Sequence, residues 1–104
     1  MAQQRCKDRI ESEFDSTMKE LRKSENPMEL GLSFDRVEAG TFEGQRDPYY
    51  RWQLSWGGPS DEFRLYDNND LEYWFLDWFD GACVLVTGAD KDFIINLIEY
   101  LKGN

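Results

Sequence analysis

The spacing of hydrophobic side chains along this chain changes twice. From Arg5 to Asn26 (RCKDRIESEFDSTMKELRKSEN), the apolar residues Cys6, Ile10, Phe14, Met18 and Leu21 recur every three or four positions. Lys, Arg, Glu and Asp fill the rest of the cylinder, so the segment predicts an amphipathic helix. Asn26-Pro27 closes it, because the residue before a proline is pushed out of the helical region. After Pro27 the period drops to two. Leu30, Leu32 and Phe34 alternate with Gly31, Ser33 and Asp35, which predicts a half-buried strand. EAGTFEGQRDP follows as a loop, with Thr41 and Phe42 as a candidate extension of that strand. YYRWQLSW alternates again, with Tyr50, Trp52, Leu54 and Trp56 on one face and Tyr49, Arg51, Gln53 and Ser55 on the other.

GGPS predicts a turn, since glycine takes positive φ and Pro59 stops pairing. In DEFRLY, Phe63 and Leu65 point inward and Glu62, Arg64 and Tyr66 outward; DNND, Asp67 to Asp70, is the next turn. LEYWFLDWF places Leu71, Tyr73, Phe75, Asp77 and Phe79 on one face and Glu72, Trp74, Leu76 and Trp78 on the other. Asp80-Gly81 is a strong turn dipeptide, and ACVLV a short apolar strand. At the end the period returns to that of a helix. Thr87 or Asp90 caps it, Phe93, Ile94, Leu97, Ile98 and Leu101 form its apolar face with Ile95 at the margin, and Gly103 ends it.

Turns of a few residues between strands require antiparallel hairpins rather than parallel crossovers. The expected architecture is therefore α+β: N- and C-terminal helices flanking an antiparallel sheet of four or five strands in a meander, in two layers with the helices on one face. At 104 residues the chain makes a single domain, residues 1–104, with one modest core.

Charge narrows the function classes. The chain carries 21 acids, 12 bases and no histidine, a net charge of −9. Of these acids, seven lie between Ser60 and Asp80, with Arg64 the one base among them. Direct nucleic-acid binding needs a basic face and is not expected. An acidic face instead suits a basic partner, or stands in for the phosphates of a nucleic acid; in the simplest case it keeps an aromatic-rich protein in solution. Cys6 and Cys83 form no CxxC pair, the apolar runs are too short to span a membrane, and no signal peptide is evident, so a cytoplasmic domain with reduced thiols is expected.

Motifs for chemistry are sparse. Asp67, Asn69 and Asp70 resemble the start of a calcium loop, but its sixth and twelfth positions are Glu72 and Trp78 instead of glycine and glutamate. WGGPS precedes a strand and lacks a lysine, so it is not a phosphate cradle. Without histidine, neither cysteine nor serine has its usual activating base. Carboxylate chemistry would require Asp61, Asp77 and Asp80 to converge in a pocket. No cofactor or metal is expected, and the reading is non-enzymatic.

The surplus of aromatics is the more telling feature. LEYWFLDWFDGA carries large rings on both faces of one strand, although helices on one side of the sheet bury only one of them. The Ala39–Pro48 loop, another subunit or a partner must cover the second face, or it is exposed as an interaction patch. WQLSWGGPSDEF (Trp52–Phe63) followed by EYWFLDWFDGA (Glu72–Ala82) resembles a motif pair of small uncharacterised proteins of bacteria and mobile elements. That pair brings no catalytic residues with it. In size and acidity the chain is also similar to phage- and plasmid-encoded anti-CRISPR and anti-restriction inhibitors, which implies a basic nucleic-acid channel as the target. The expected function is a binding protein docked on a basic protein surface, most concretely an inhibitor of a host nuclease or CRISPR effector. Its candidate contacts are Asp61, Glu62, Asp67, Asp70, Glu72, Asp77 and Asp80, with Trp74 or Trp78 as anchor. The alternatives are an immunity- or antitoxin-like protein that neutralises a basic toxin, and a homodimer that pairs its aromatic faces.

Overall fold

The computed structural model describes residues 5–55, 59–77 and 80–103. Helix α1 (Cys6–Lys23) is followed by a 3-10 helix (Pro27–Leu30) and five strands: β1 (Ser33–Val37), β2 (Tyr49–Ser55), β3 (Ser60–Tyr66), β4 (Leu71–Asp77) and β5 (Asp80–Leu85). Helix α2 (Gly88–Gly103) ends the chain's described part. The strands form an open antiparallel sheet in the order β1-β2-β3-β4-β5, so the fold is α+β. No helix among the described residues is long and apolar enough to cross a membrane.

Pairing register explains the core. Trp52 lies opposite Phe63 and Phe63 opposite Tyr73, so three large rings share one face of neighbouring strands. Their centroids are 6.0 and 5.3 Å apart, in the range where ring pairs add to the burial of their area. The α1 stripe lies on these rings: Cys6, Ile10, Met18 and Leu21 are buried, and Phe14 packs 5.4 Å from Tyr73. Helix α2 brings Ile94 and Ile98 to the same core. The end of α1 meets the start of α2, with Arg22 Nη2 2.8 Å from Asp90 and its guanidinium over the Phe93 ring. Lys102 reaches back over Tyr50, on the helix-covered side of the sheet.

Three local expectations change. Pro27 opens a 3-10 helix, for which its fixed φ is suited. Leu30 therefore sits in a helical turn rather than on a strand, and both it and Leu32 are exposed. Thr41 and Phe42 do not extend the strand; they lie in the β1–β2 loop, where Thr41 N–H and Oγ1 both donate to Glu38 O. Asp80 and Gly81 are not a turn but the first residues of β5, with Asp80 directly paired to Asp77 and Gly81 to Leu76. The DNND turn forms as expected, with Asn69 at φ 74° and Tyr66 N–H donating to Asp70 O. The expectations for Trp56, Gly57, Gly58, Trp78 and Phe79 lie outside the described residues.

Candidate functional site

The sheet's second face is a polar and aromatic network. Register sets Asp35, Arg51, Arg64 and Glu72 in one row across β1 to β4, and Gln53, Glu62 and Trp74 in the next. Arg51 grips Asp35 with two bonds, Nε to Oδ1 at 3.0 Å and Nη2 to Oδ2 at 2.8 Å. Arg64 Nε donates to Glu62 at 2.7 Å while its guanidinium lies 4.0 Å over the Trp74 ring and 4.9 Å over Tyr49. Trp74 Nε1 and Tyr66 Oη both donate to Glu72 Oε1, at 2.9 and 2.8 Å. Glu62 is only 4% exposed, so Arg64 is the cation that makes its burial tolerable. Burial and the bond to Glu72 push the Tyr66 phenol up from its ordinary value.

The loop between β1 and β2 folds over part of this face. Gly40 and Gly44, at φ 82° and 76°, let the chain reverse twice, and Phe42 comes to lie beside the Arg51 guanidinium. Loop and sheet enclose a groove of about 400 Å³, whose floor is Tyr49, Arg64, Tyr66 and Trp74. The expected covering of the aromatic face is thus supplied in part by the chain itself. The Tyr49 hydroxyl is buried there without a hydrogen-bond partner among the described residues.

Next to that groove, sharing Asp47 and Tyr66 with it, is a cleft of about 470 Å³ lined by Asp47, Pro48, Tyr66, Asp67, Asn68, Asp70 and Glu72. Carboxylates come from the β1–β2 loop, the DNND turn and β4, and among the described residues no base is on the lining. Arg36 holds Asp67 from outside it, with bonds of 2.8 and 2.9 Å that keep the Asp67 carboxyl below the usual carboxylate range. Asp70 accepts from Asn68 Nδ2 at 3.1 Å and is exposed.

The other candidates lie on the helix-covered side. Asp61 accepts from the Tyr73 hydroxyl at 2.6 Å, from Thr17 and from Ser55. Asp77 pairs with Arg9 at 3.3 Å and its side chain is 16% exposed. Asp80 accepts the Cys6 backbone N–H at 2.7 Å. Asp61 lines a smaller groove with Glu13, Thr17 and Ser55, but Asp77 and Asp80 do not line it. The structure therefore divides the nine sequence candidates into separate groups. Asp67, Asp70 and Glu72 meet in the cleft, joined by Asp47. Glu62 and Trp74 belong to the ordered network on the open face, where Glu62 offers a partner no surface and Trp74 is half-buried. Asp61, Asp77 and Asp80 join the helix layer to the sheet. Trp78 lies outside the described residues.

Sequence reasoning missed Asp47 and the pairing of Arg36 with Asp67. The signal for Asp47 was its place just before Pro48 and β2, but nothing local shows that the loop returns to the DNND turn. Among the described residues, no group of three His, Cys, Asp or Glu is arranged to hold a metal ion. Cys6 and Cys83 are free thiols. Burial at Cys6 and partial desolvation at the exposed Cys83 push both thiols up, helped at Cys6 by Asp80 and at Cys83 by Glu72, so neither is primed as a thiolate nucleophile. Comparison of the chain with protein-family models, curated proteins and solved structures finds no match.

Proposed function

We propose that the protein is a non-enzymatic binding protein that docks on a basic protein surface, with the cleft of Asp47, Asp67, Asp70 and Glu72 at the centre of contact. The observation that carries this reading is a concave site lined by carboxylates from three parts of the chain with no base on its lining among the described residues. A lysine or arginine side chain entering it meets the carboxylates of Asp47, Asp67, Asp70 and Glu72, and the chain's charge of −9 draws a basic partner from a distance. The most concrete version is an inhibitor of a host-defence nuclease or CRISPR effector, in which these carboxylates occupy the place of nucleic-acid phosphates. Asp61, Asp77 and Asp80 then act as struts of the fold rather than as contacts.

A pull-down from host lysate tests this, comparing the wild type with the triple variant Asp47→Asn, Asp67→Asn, Asp70→Asn. The wild type is expected to retain a basic nucleic-acid-binding protein, and the variant to lose it while keeping its circular dichroism. Affinity for the retained protein should fall as salt is raised, because exposed charges are screened over about 8 Å at physiological ionic strength. Equal retention by the variant, or affinity indifferent to salt, overturns the proposal.

A further inference from the structure

The two edges of the sheet are unequal. Strand β1 carries charges along its length, with Asp35 held by Arg51 and Arg36 by Asp67, and such charges discourage a further strand from pairing. Among the described residues β5 has a strand neighbour on one side only, and the run Gly81–Thr87, GACVLVT, from β5 into the link to α2, contains no charge and no proline. Asp80, at its start, is occupied with the α1 N-terminus.

The ladder fixes what the free side of β5 presents. Val86 N–H donates to Leu71 O at 2.8 Å, so residue 86 directs its backbone groups at β4. In an antiparallel pair this direction alternates. Ala82 and Val84 also face β4, while Gly81, Cys83 and Leu85 turn their N–H and C=O groups to the free edge. The side chains of Cys83 and Leu85 lie on the open face, where Cys83 is exposed and Leu85 is 61% exposed.

We propose that β5 is a self-pairing edge: two copies join β5 to β5 antiparallel about a two-fold axis at Cys83, making one continuous sheet. A two-fold interface must be self-complementary, and this register is. Gly81 of each copy lies opposite Leu85 of the other and Cys83 opposite Cys83, so all three outward residues exchange hydrogen bonds. The exposed Leu85 covers the bare backbone at the other copy's Gly81. Helix α1 packs on both β4 and β5. With it above the β4–β5 seam and strands spaced by about 4.8 Å, the two α1 axes come about 10 Å apart, close to the distance of packed helices.

Sedimentation equilibrium over a concentration series, with matched runs on Leu85→Lys and Cys83→Ser, tests the pairing. The wild type should be a dimer whose association strengthens with added salt, since two acidic chains repel less when screened. That trend is opposite to the one expected for docking on a basic partner. Leu85→Lys should raise the dissociation constant by roughly tenfold or more, because it removes the apolar side chain that covers Gly81 and a lysine on an edge strand discourages pairing, while leaving the circular dichroism unchanged. The register has its own readout. Hydrogen-bonded antiparallel partners are about 5.5 Å apart at Cα with Cβ atoms almost as far apart, beyond the roughly 4 Å that a disulfide spans but within reach of a short bismaleimide. Bismaleimidoethane should therefore link the wild-type dimer through the exposed Cys83, each thiol S–H adding across one maleimide C=C with its proton going to the neighbouring carbon, while the buried Cys6 stays unreacted. Cys83→Ser should dimerise without linking. A wild type that stays monomeric at the highest concentration, or a dimer that survives Leu85→Lys or resists the bismaleimide, overturns the proposal.

Discussion

Two tyrosine hydroxyls show how much a partner matters at the scale of a residue. Tyr73 Oη donates to Asp61 at 2.6 Å from a fully buried ring, and burial together with that carboxylate pushes its phenol up. Tyr49 is also buried, yet its hydroxyl has no partner among the described residues. A hydrogen bond to a charged group contributes about 1.5–3 kcal/mol, and an unsatisfied buried hydroxyl costs about 1–3 kcal/mol. Tyr73→Phe should therefore lower stability by about 2 kcal/mol, whereas Tyr49→Phe should leave it unchanged or raise it by about 1 kcal/mol. Urea unfolding of both variants checks this, and equal losses would refute the distinction. Neither role was legible in the sequence, where both residues are simply tyrosines at alternating strand positions. Gly31 has a similar history. Its place between Leu30 and Leu32 reads as the polar side of a strand, but a Cβ there would fall on the Trp52 indole nitrogen. The close approach of a distant tryptophan, not local backbone freedom, is what requires glycine.

Among the elements, α1 depends on the far end of the sheet. Arg5 at its N-cap makes no side-chain capping bond, and Asp80 from β5 supplies an acceptor to Cys6 N–H. Helix N–H groups favour the ionised carboxylate, so the bond from the Cys6 backbone holds Asp80 below the usual carboxylate range. A carboxyl whose folded pKa is lowered adds stability above its unfolded pKa of about 3.9 and loses it as pH falls through the lower folded value. Asp67, lowered by Arg36, behaves alike. Asp80→Asn should therefore lower the urea midpoint at neutral pH, and its curve should approach that of the wild type below about pH 3. Curves that run parallel through this range would show that Asp80 is not the helix's cap. The elements themselves were largely legible because their periods are local: the α1 stripe and the alternation of β2, β3 and β4 follow from residues within one segment. The Asp80-Gly81 dipeptide misled because its composition favours a turn, whereas direct pairing of Asp77 with Asp80 places both residues in the strands.

For the molecule as a whole, sequence shows the sum of the charges but not their partners. Asp77 finds Arg9 across 68 positions and Asp67 finds Arg36 across 31, so a compact acidic segment is dispersed over both faces of the sheet. Connectivity also ranks the strands by how readily they open. Strands β3 and β4 are paired on both sides, and Phe63 and Tyr73 between them are fully buried. Their amides should exchange with solvent hydrogen only through global unfolding. Strand β1 pairs on one side, and of its residues only Val37 is buried, so its amides should exchange through cheaper local opening and the loop after it faster still. Within β5 the alternation separates neighbours: Ala82, Val84 and Val86 should be protected in dilute solution, while Gly81, Cys83 and Leu85 should exchange freely. Native-state hydrogen exchange followed residue by residue reads this pattern. Raising the protein concentration should slow those three amides selectively if β5 self-pairs and leave β1 unchanged. Slowest exchange in β1 would contradict the ranking, and no selective slowing at Gly81, Cys83 and Leu85 would remove β5 as the joining edge.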